Sequence, residues 1–553
     1  GRETETAMLD KVLSQMKRGT KKRPHVLGFV ALGGEGKTSL VAKWLGGMAG
    51  KDWPGCESVF AWSFYSQGSR EQVAVSSDLF LAEALKFFGD PEMAGSAVGA
   101  YEKGQRLAEL VGGQRSLLIL DGVEPLQYPP SSPTGSRLKD QGVEALLKGL
   151  AASSNGLCIV TTRYSIPDLA AFVGSTWHEE ELKRLSREAG VALLKDCGVK
   201  GSERPSSGNS FDPKPQAKAF GDAEDAHASG SRSNEQSDPL NEYEQLVEDV
   251  KGHALTLQIL GQYLKRAHHG DIRRRDRVEL AKADDKVHAS HGFGTGHAFR
   301  AIAAYEAWLA DDSEESRREL AALRLLGLFD RPATADWVQA LRKPPAIDGL
   351  TDPLVDLPDE DWEFTLTTLS DARLVSVNRD EATGELISLD AHPLIREYFA
   401  MQLRRPDQAK RRSGNDEPED HADAGASSLR SSIRPTETSD VWRAAHRRLY
   451  EHLCETTHEG DQPTLEDLQP LYQAIAHGCH AGLHEKAHDE IYVQRIRRGK
   501  RSYGTGKLGA FGSELGAITC FFASQWKTVA PSLEQYTPSL LSGAAFNLRA
   551  LGR

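Results

Sequence analysis

The sequence predicts an α/β fold, a parallel sheet with helices on both faces, continued by all-α units. Three observations predict it. Short apolar runs alternate with helix-period segments through residues 1–183, a glycine-dense turn joins the first strand to its helix, and beyond that point the pattern turns helical.

Taken in order, residues 1–14 read as a loop feeding an amphipathic helix with Met8, Leu9, Val12 and Leu13 on its apolar side. The apolar run that opens at Val26 is the strand before the glycine-dense turn, and its helix runs from Thr38 to Leu45. SVFAWSF (58–64), SLLILD (116–121), GLCIVTT (156–162) and residues 175–182 are further strands, with helices expected at 78–88, 101–111 and 142–150. Strands and helices alternating at this pitch place ligands at the C-terminal ends of the strands. The loop after the first strand, Asp121 and Arg163 all fall at those ends.

That loop, with its helix start, reads ALGGEGKTS at 31–39. Gly33, Gly34 and Gly36 can take positive φ and carry no Cβ, so successive N–H groups can converge on an anion at a helix N-terminus. Lys37 supplies a point charge for the β- and γ-phosphates of a nucleotide, and the Thr38 hydroxyl is placed for Mg²⁺. The pattern is that of a P-loop, with Ala31 where the first glycine is usual, a position that mainly shapes the turn. Asp121 ends an apolar strand roughly 80 residues further on, the usual place of the Mg²⁺-organising carboxylate of a P-loop NTPase. Thr38 and Asp121 are therefore the candidate metal ligands. The residue after Asp121 is Gly122, and the nearest carboxylate able to orient a water is Glu124.

Beyond the nucleotide-binding domain (1–183) the expected units are a helical domain (184–270), a helical connector (271–315), a winged-helix domain (316–403) and a helical domain (441–553). The stretch 200–239 is rich in Ser, Gly, Asp, Asn and Pro and nearly devoid of apolar residues, so it is read as a disordered insertion, and 404–440 as a disordered linker. In the winged-helix domain, strands at 374–377 and 386–389 flank a turn at 380–384, and a helix leaves at 393–403. The last domain is expected to be helical throughout, its closing SLLSGAAFNLRALGR resembling the first helix of a tetratricopeptide-type (TPR) unit.

A chain of 553 residues exceeds what one hydrophobic core serves. Its formal charge of −12 argues against broad nucleic-acid binding, and the acidic stretch 352–397 makes the winged helix a structural lever rather than a DNA reader. Six scattered cysteines without a CxxC pair point to a reducing, cytoplasmic setting. No apolar run approaches the ~20 residues a membrane span needs. The chain opens on Gly1 rather than Met, and its effector domain is expected outside it. His477, Cys479, His480, His484 and His488 form a stripe of zinc-ligand types that more economically is a packed helix face. The basic run Arg495, Arg497, Arg498, Lys500 and Arg501 could touch nucleic acid, but more often such a run is a solvated or partner face.

In chain order, GRE, ALGGEGKTSL, LLILDGVE, CIVTTR, ELKRLSREAGVALL, KGHALTL and LDAHPLIREYF resemble the motifs of the NB-ARC (AP-ATPase) members of the STAND class of signalling NTPases, over about residues 1–401. The resemblance implies an adenine nucleotide, ATP or ADP with Mg²⁺, held by Arg2, Gly33, Gly34, Glu35, Gly36, Lys37, Thr38 and Ser39. It implies that Arg163 senses the γ-phosphate. His253 and Ala254 fall in GHAL, where the family has GLPL, whose proline packs near the adenine. His392 stands where the family's MHD histidine contacts the β-phosphate of ADP and holds the winged helix closed, with Pro393 in place of that motif's aspartate. Weak hydrolysis, using Lys37, Asp121, Glu124 and Arg163, would reset the switch. ADP is then expected to hold a closed resting form, and ATP to favour an open form that self-associates in bacterial signalling or defence. The trigger would be read by the C-terminal helical region. The alternatives are a STAND-type transcription regulator whose DNA-binding output lies outside this chain, and a simple turnover ATPase.

Overall fold

The computed structural model describes residues 1–18, 22–64, 76–201, 241–278, 280, 295–405, 439–499 and 502–552. Most of the expected insertion at 200–239 and of the linker at 404–440 lies outside the described residues, as do part of the polar stretch 271–300, Lys500 and Arg501.

The first unit runs α1 (Glu3–Lys17), β1 (Val26–Val30), α2 (Lys37–Ala49), β2 (Ser58–Ser63), α3 (Asp78–Phe87), α4 (Pro91–Ala94), α5 (Ala100–Gly113), β3 (Ser116–Asp121), α6 (Gln141–Ala152), β4 (Leu157–Thr162) and β5 (Trp177–Glu181). The five strands form one sheet in the order β2-β3-β4-β1-β5, every pair parallel. Their side chains alternate between two faces. Leu27, Phe29, Leu117, Ile119, Leu157 and Ile159 pack against α1 and α2 through Leu9, Leu13, Met16, Leu40 and Trp44. Their neighbours Leu118, Leu120, Cys158 and Val160 join the other core with Leu107, Val111, Leu146 and Leu150 of α5 and α6. Both faces are buried, so these strands read as continuous apolar runs. The loop after β1 thus opens beside the end of β4, with the end of β3 one strand further on.

A helical unit follows, α7 (Arg187–Asp196), α8 (Glu242–Asp249) and α9 (Ala254–His268). The next unit runs helix Glu314–Leu326, β6 (Ala333–Thr334), helices Ala335–Arg342 and Asp359–Asp371, then β7 (Val375–Arg379) and β8 (Leu386–Ala391). That order, with an antiparallel sheet β6-β8-β7, is the order of a winged helix. Helix Pro393–Arg404 leaves β8.

The C-terminal part is mainly helical and packs back on the first unit. Lys86 of α3 pairs with Glu466 at 2.8 Å, Ser513 donates its N–H to Asp78 at 2.9 Å, and Lys103 Nζ reaches the Leu508 carbonyl at 3.0 Å. One expectation is corrected there: Phe522–Ser524 and Thr528–Val529 form an antiparallel hairpin, so the region is not helical throughout. These strands are too short to carry a period. The histidine stripe is also broken, because the helix carrying His477 ends at His480 and the chain turns at Gly482, whose φ is +80°. His477 instead meets His446, Nδ1 to Nδ1 at 2.7 Å, and His488 meets Asp489 at 2.6 Å. Among the described residues no group of three or more His, Cys, Asp or Glu could hold a metal ion. Of the basic run, Arg495 and Arg498 both bind Glu459, at 2.6 and 3.3 Å, which makes them an internal tie rather than a free basic face. All six cysteines are free, and no helix among the described residues is long and apolar enough to cross a membrane.

Candidate nucleotide-binding site

The site is built on the loop between β1 and α2. Gly34 and Gly36 take φ of +83° and +88°, values only glycine adopts readily, and Gly36 is the N-cap of α2. Lys37 is buried and folds back, its Nζ donating to the carbonyls of Ala31 at 2.7 Å and Leu32 at 3.1 Å. Burial pushes its pKa down, opposed by the nearby charges of Glu124 and Asp121.

The Thr38 hydroxyl donates to Asp121 Oδ1 at 2.9 Å, so the two candidate metal ligands from distant parts of the sequence stand side by side. Asp121 Oδ1 also accepts from Thr161 Oγ1 at 2.6 Å, and Thr161 in turn accepts the Gly122 N–H at 2.8 Å. Burial raises the Asp121 pKa while those two hydroxyls lower it. Thr161, one of the two threonines of TTR, is a residue the sequence reading passed over in favour of the arginine beside it.

Arg163 lies at the end of β4 with its Nε 2.8 Å from Glu124 Oε1. Its guanidinium also faces the loop, since a Cβ added at Gly33 would stand 3.5 Å from Arg163 Cζ. Arg2 donates from Nη2 to the Glu35 carbonyl at 2.8 Å, and the buried Glu35 carboxylate faces Arg184 at 3.4 Å. Burial raises the Glu35 pKa, opposed by Arg184 and Arg2.

His253 is fully buried at the N-cap of α9, its Nε2 2.9 Å from the Gly33 carbonyl. Burial pushes its pKa down to about 4. His392 caps helix Pro393–Arg404, its Nδ1 accepting the Leu394 N–H at 3.2 Å. Burial, then the nearby basic groups Arg163, His253 and Lys37, push its pKa down to about 3. His392 therefore lies near Lys37 and Arg163, the cations beside the loop. Ser39 is exposed beside Thr38 on α2, and Ala254 begins α9 with no polar side chain to offer.

The arrangement suits a polyphosphate with Mg²⁺: glycine N–H groups at a helix N-terminus, a lysine and an arginine, and a hydroxyl beside a carboxylate. Thr38 and Asp121 are the groups that would hold the metal.

No family model matches the sequence, and no curated protein matches it. Among solved structures the chain is similar to a STAND protein (signal transduction ATPase with numerous domains) with a tetratricopeptide repeat sensor from Pyrococcus horikoshii, at 14% identity and a TM-score of 0.46, covering 98% of this chain and 57% of that one. The chain thus spans little more than half the length of that protein. It is also similar to the Orc1 protein of Aeropyrum pernix in complex with DNA, at 15% identity and a TM-score of 0.28, covering 72% of this chain and 92% of that one. Cdc6p of Pyrobaculum aerophilum gives 13% identity and a TM-score of 0.27, covering 73% and 95%.

Proposed function

We propose that the protein is a nucleotide-dependent molecular switch of the STAND NTPase class, resembling NB-ARC members, in which ADP holds the closed arrangement and ATP with Mg²⁺ favours an open, self-associating one. One observation carries the reading. His392, from the winged-helix unit, lies under the charges of Lys37 and Arg163 of the nucleotide-binding unit. An anion bound there would meet Lys37 and Arg163 of one unit and His392 of the other, and so join the two.

A ligand shifts an equilibrium only by its differential affinity for the two forms. In the closed form the N–H groups of the loop and Lys37 would bind the β-phosphate, and His392 would add a contact that exists only while the winged helix is docked. Thr38 and Asp121 would hold Mg²⁺, which neutralises phosphate charge when bound. Arg163 would distinguish ATP from ADP by exchanging Glu124 for the γ-phosphate. Hydrolysis is secondary, because Glu124 is engaged by Arg163.

Calorimetric titration with ADP of protein first freed of nucleotide tests the reading. Wild type is expected to bind ADP, Lys37→Ala to lose binding, and His392→Ala to bind about tenfold more weakly. Equal affinity in wild type and His392→Ala would remove the latch.

A further inference from the structure

Every carbonyl of the loop from Ala31 to Glu35 accepts a hydrogen bond from a group outside that stretch. Lys37 Nζ takes Ala31 O and Leu32 O. Beyond these, His253 Nε2 takes Gly33 O at 2.9 Å, the Leu255 N–H takes Gly34 O at 3.0 Å, and Arg2 Nη2 takes Glu35 O at 2.8 Å. In a trans peptide the C=O and the following N–H point in opposite directions. Fixing the carbonyls of Gly33, Gly34 and Glu35 toward their donors therefore turns the N–H groups of Gly34, Glu35 and Gly36 away from those donors, where a phosphate would meet them.

Two of those three donors belong to the first turn of α9. His253 Nδ1 accepts the Thr256 N–H at 3.3 Å and lies 2.7 Å from Thr256 Oγ1. With Nδ1 acting as acceptor, the ring proton sits on Nε2 and is donated to Gly33 O. The fit is close: a Cβ at Gly34 would come within 2.7 Å of His253 Cε1. A glycine there is required by the docked helix as well as by φ.

We infer that His253 is a positioning residue: it does not touch the nucleotide but, with the Leu255 N–H, holds the phosphate loop in its binding conformation, so that polyphosphate affinity and docking of α9 are coupled. The inference rests on the nucleotide reading above. Undocking α9 frees the 33–34 and 34–35 peptides to rotate and scatters the N–H groups. By linkage, a bound polyphosphate holds α9 in place.

Three variants test it. His253→Asn keeps a cap for α9, since Asn mimics Nδ1, but is too short to reach Gly33 O. His253→Gln places its amide N–H near the position of Nε2. ADP and AMP affinities are measured calorimetrically for both and for wild type, together with amide hydrogen exchange of 33–37 and 254–258 in protein freed of nucleotide. In His253→Asn, ADP affinity is expected to fall about tenfold with AMP changed far less, and loop exchange to quicken. His253→Gln is expected to restore both. Thr256→Val, which leaves the N–H in place, gives a milder form of the same pattern if His253→Asn does not fold. Equal losses for ADP and AMP, meaning a contact to the nucleoside, overturn the inference, as does unchanged exchange in His253→Asn. If wild type binds neither nucleotide, the switch reading fails, while the exchange comparison still decides whether His253 holds the loop.

Discussion

Arg163 Nε stands 2.8 Å from Glu124 Oε1, and the two side chains are only 18% and 8% exposed. The residue expected to sense a γ-phosphate and the one expected to orient a water are thus bound to each other. Glu124→Gln would release Arg163 for ATP. ATP affinity is expected to rise relative to ADP by about tenfold, or ~1.4 kcal/mol, in calorimetric titration, while hydrolysis stays slow. Rapid wild-type turnover that Glu124→Gln abolishes would favour a turnover ATPase instead.

Thr161 holds Asp121 by a hydroxyl donated to Oδ1. Thr161→Val removes a buried hydrogen bond to a charged group and leaves the Gly122 N–H without its acceptor, at a cost of about 2 kcal/mol in denaturant unfolding. The Mg²⁺ concentration needed for half-maximal ATP binding is expected to rise by about tenfold, as when a metal ligand loses its orienting partner. An unchanged Mg²⁺ requirement contradicts that role.

Acid acts on the buried imidazole. The folded-state pKa of His253 is about 4 against an ordinary value of 6.5. As pH falls below 6.5 the unfolded chain takes a proton that the folded one refuses, so the stability this group permits is full above 6.5 and is lost progressively toward 4. Relative to His253→Asn, which does not titrate, wild type is expected to lose about 2 kcal/mol between pH 7 and pH 5. Denaturant melts at the two pH values measure this, and a pH-independent difference rules it out.

Glu459 is the shared anchor of Arg495 and Arg498, and the hydrogen bond from Arg495 holds its pKa down to about 2. Its stabilisation is present above the usual 4.5 and is lost as pH falls through 2. Glu459→Gln is expected to destabilise the C-terminal helical region by about 2 kcal/mol at neutral pH, without changing ADP affinity. Denaturant unfolding and ADP titration of the variant check the two halves of this.

The first unit was legible because its strands are buried on both faces and because a glycine turn ending in Lys-Thr, set between a strand and a helix, is seldom met by chance. Residues 116–121 and 156–162 are read almost to the residue as β3 and β4. β6 was not legible: Ala333 and Thr334 are a strand only through pairing with Leu389 and Ser388 of β8. At the site, the Lys37, Thr38 and Asp121 triad follows from local pattern. The bonds from Thr161, Leu255 and His253 do not, since they join positions as far apart as Gly33 and His253, and those from Leu255 and His253 end on backbone carbonyls that carry no sequence signal. Thr161 carried a faint one, as one of two threonines that end an otherwise apolar strand. The basic run at 495–501 misled because charge alone does not reveal that Glu459 lies within reach.

In the proposed switch, ADP joins the loop to His392. Freshly purified protein, prepared without added nucleotide, is denatured and its released nucleotide identified by chromatography, beside Lys37→Ala and His392→Ala. Near-stoichiometric ADP is expected from wild type, none from Lys37→Ala, and depletion or replacement by ATP in His392→Ala. Wild type that carries no nucleotide and turns over added ATP rapidly would contradict it.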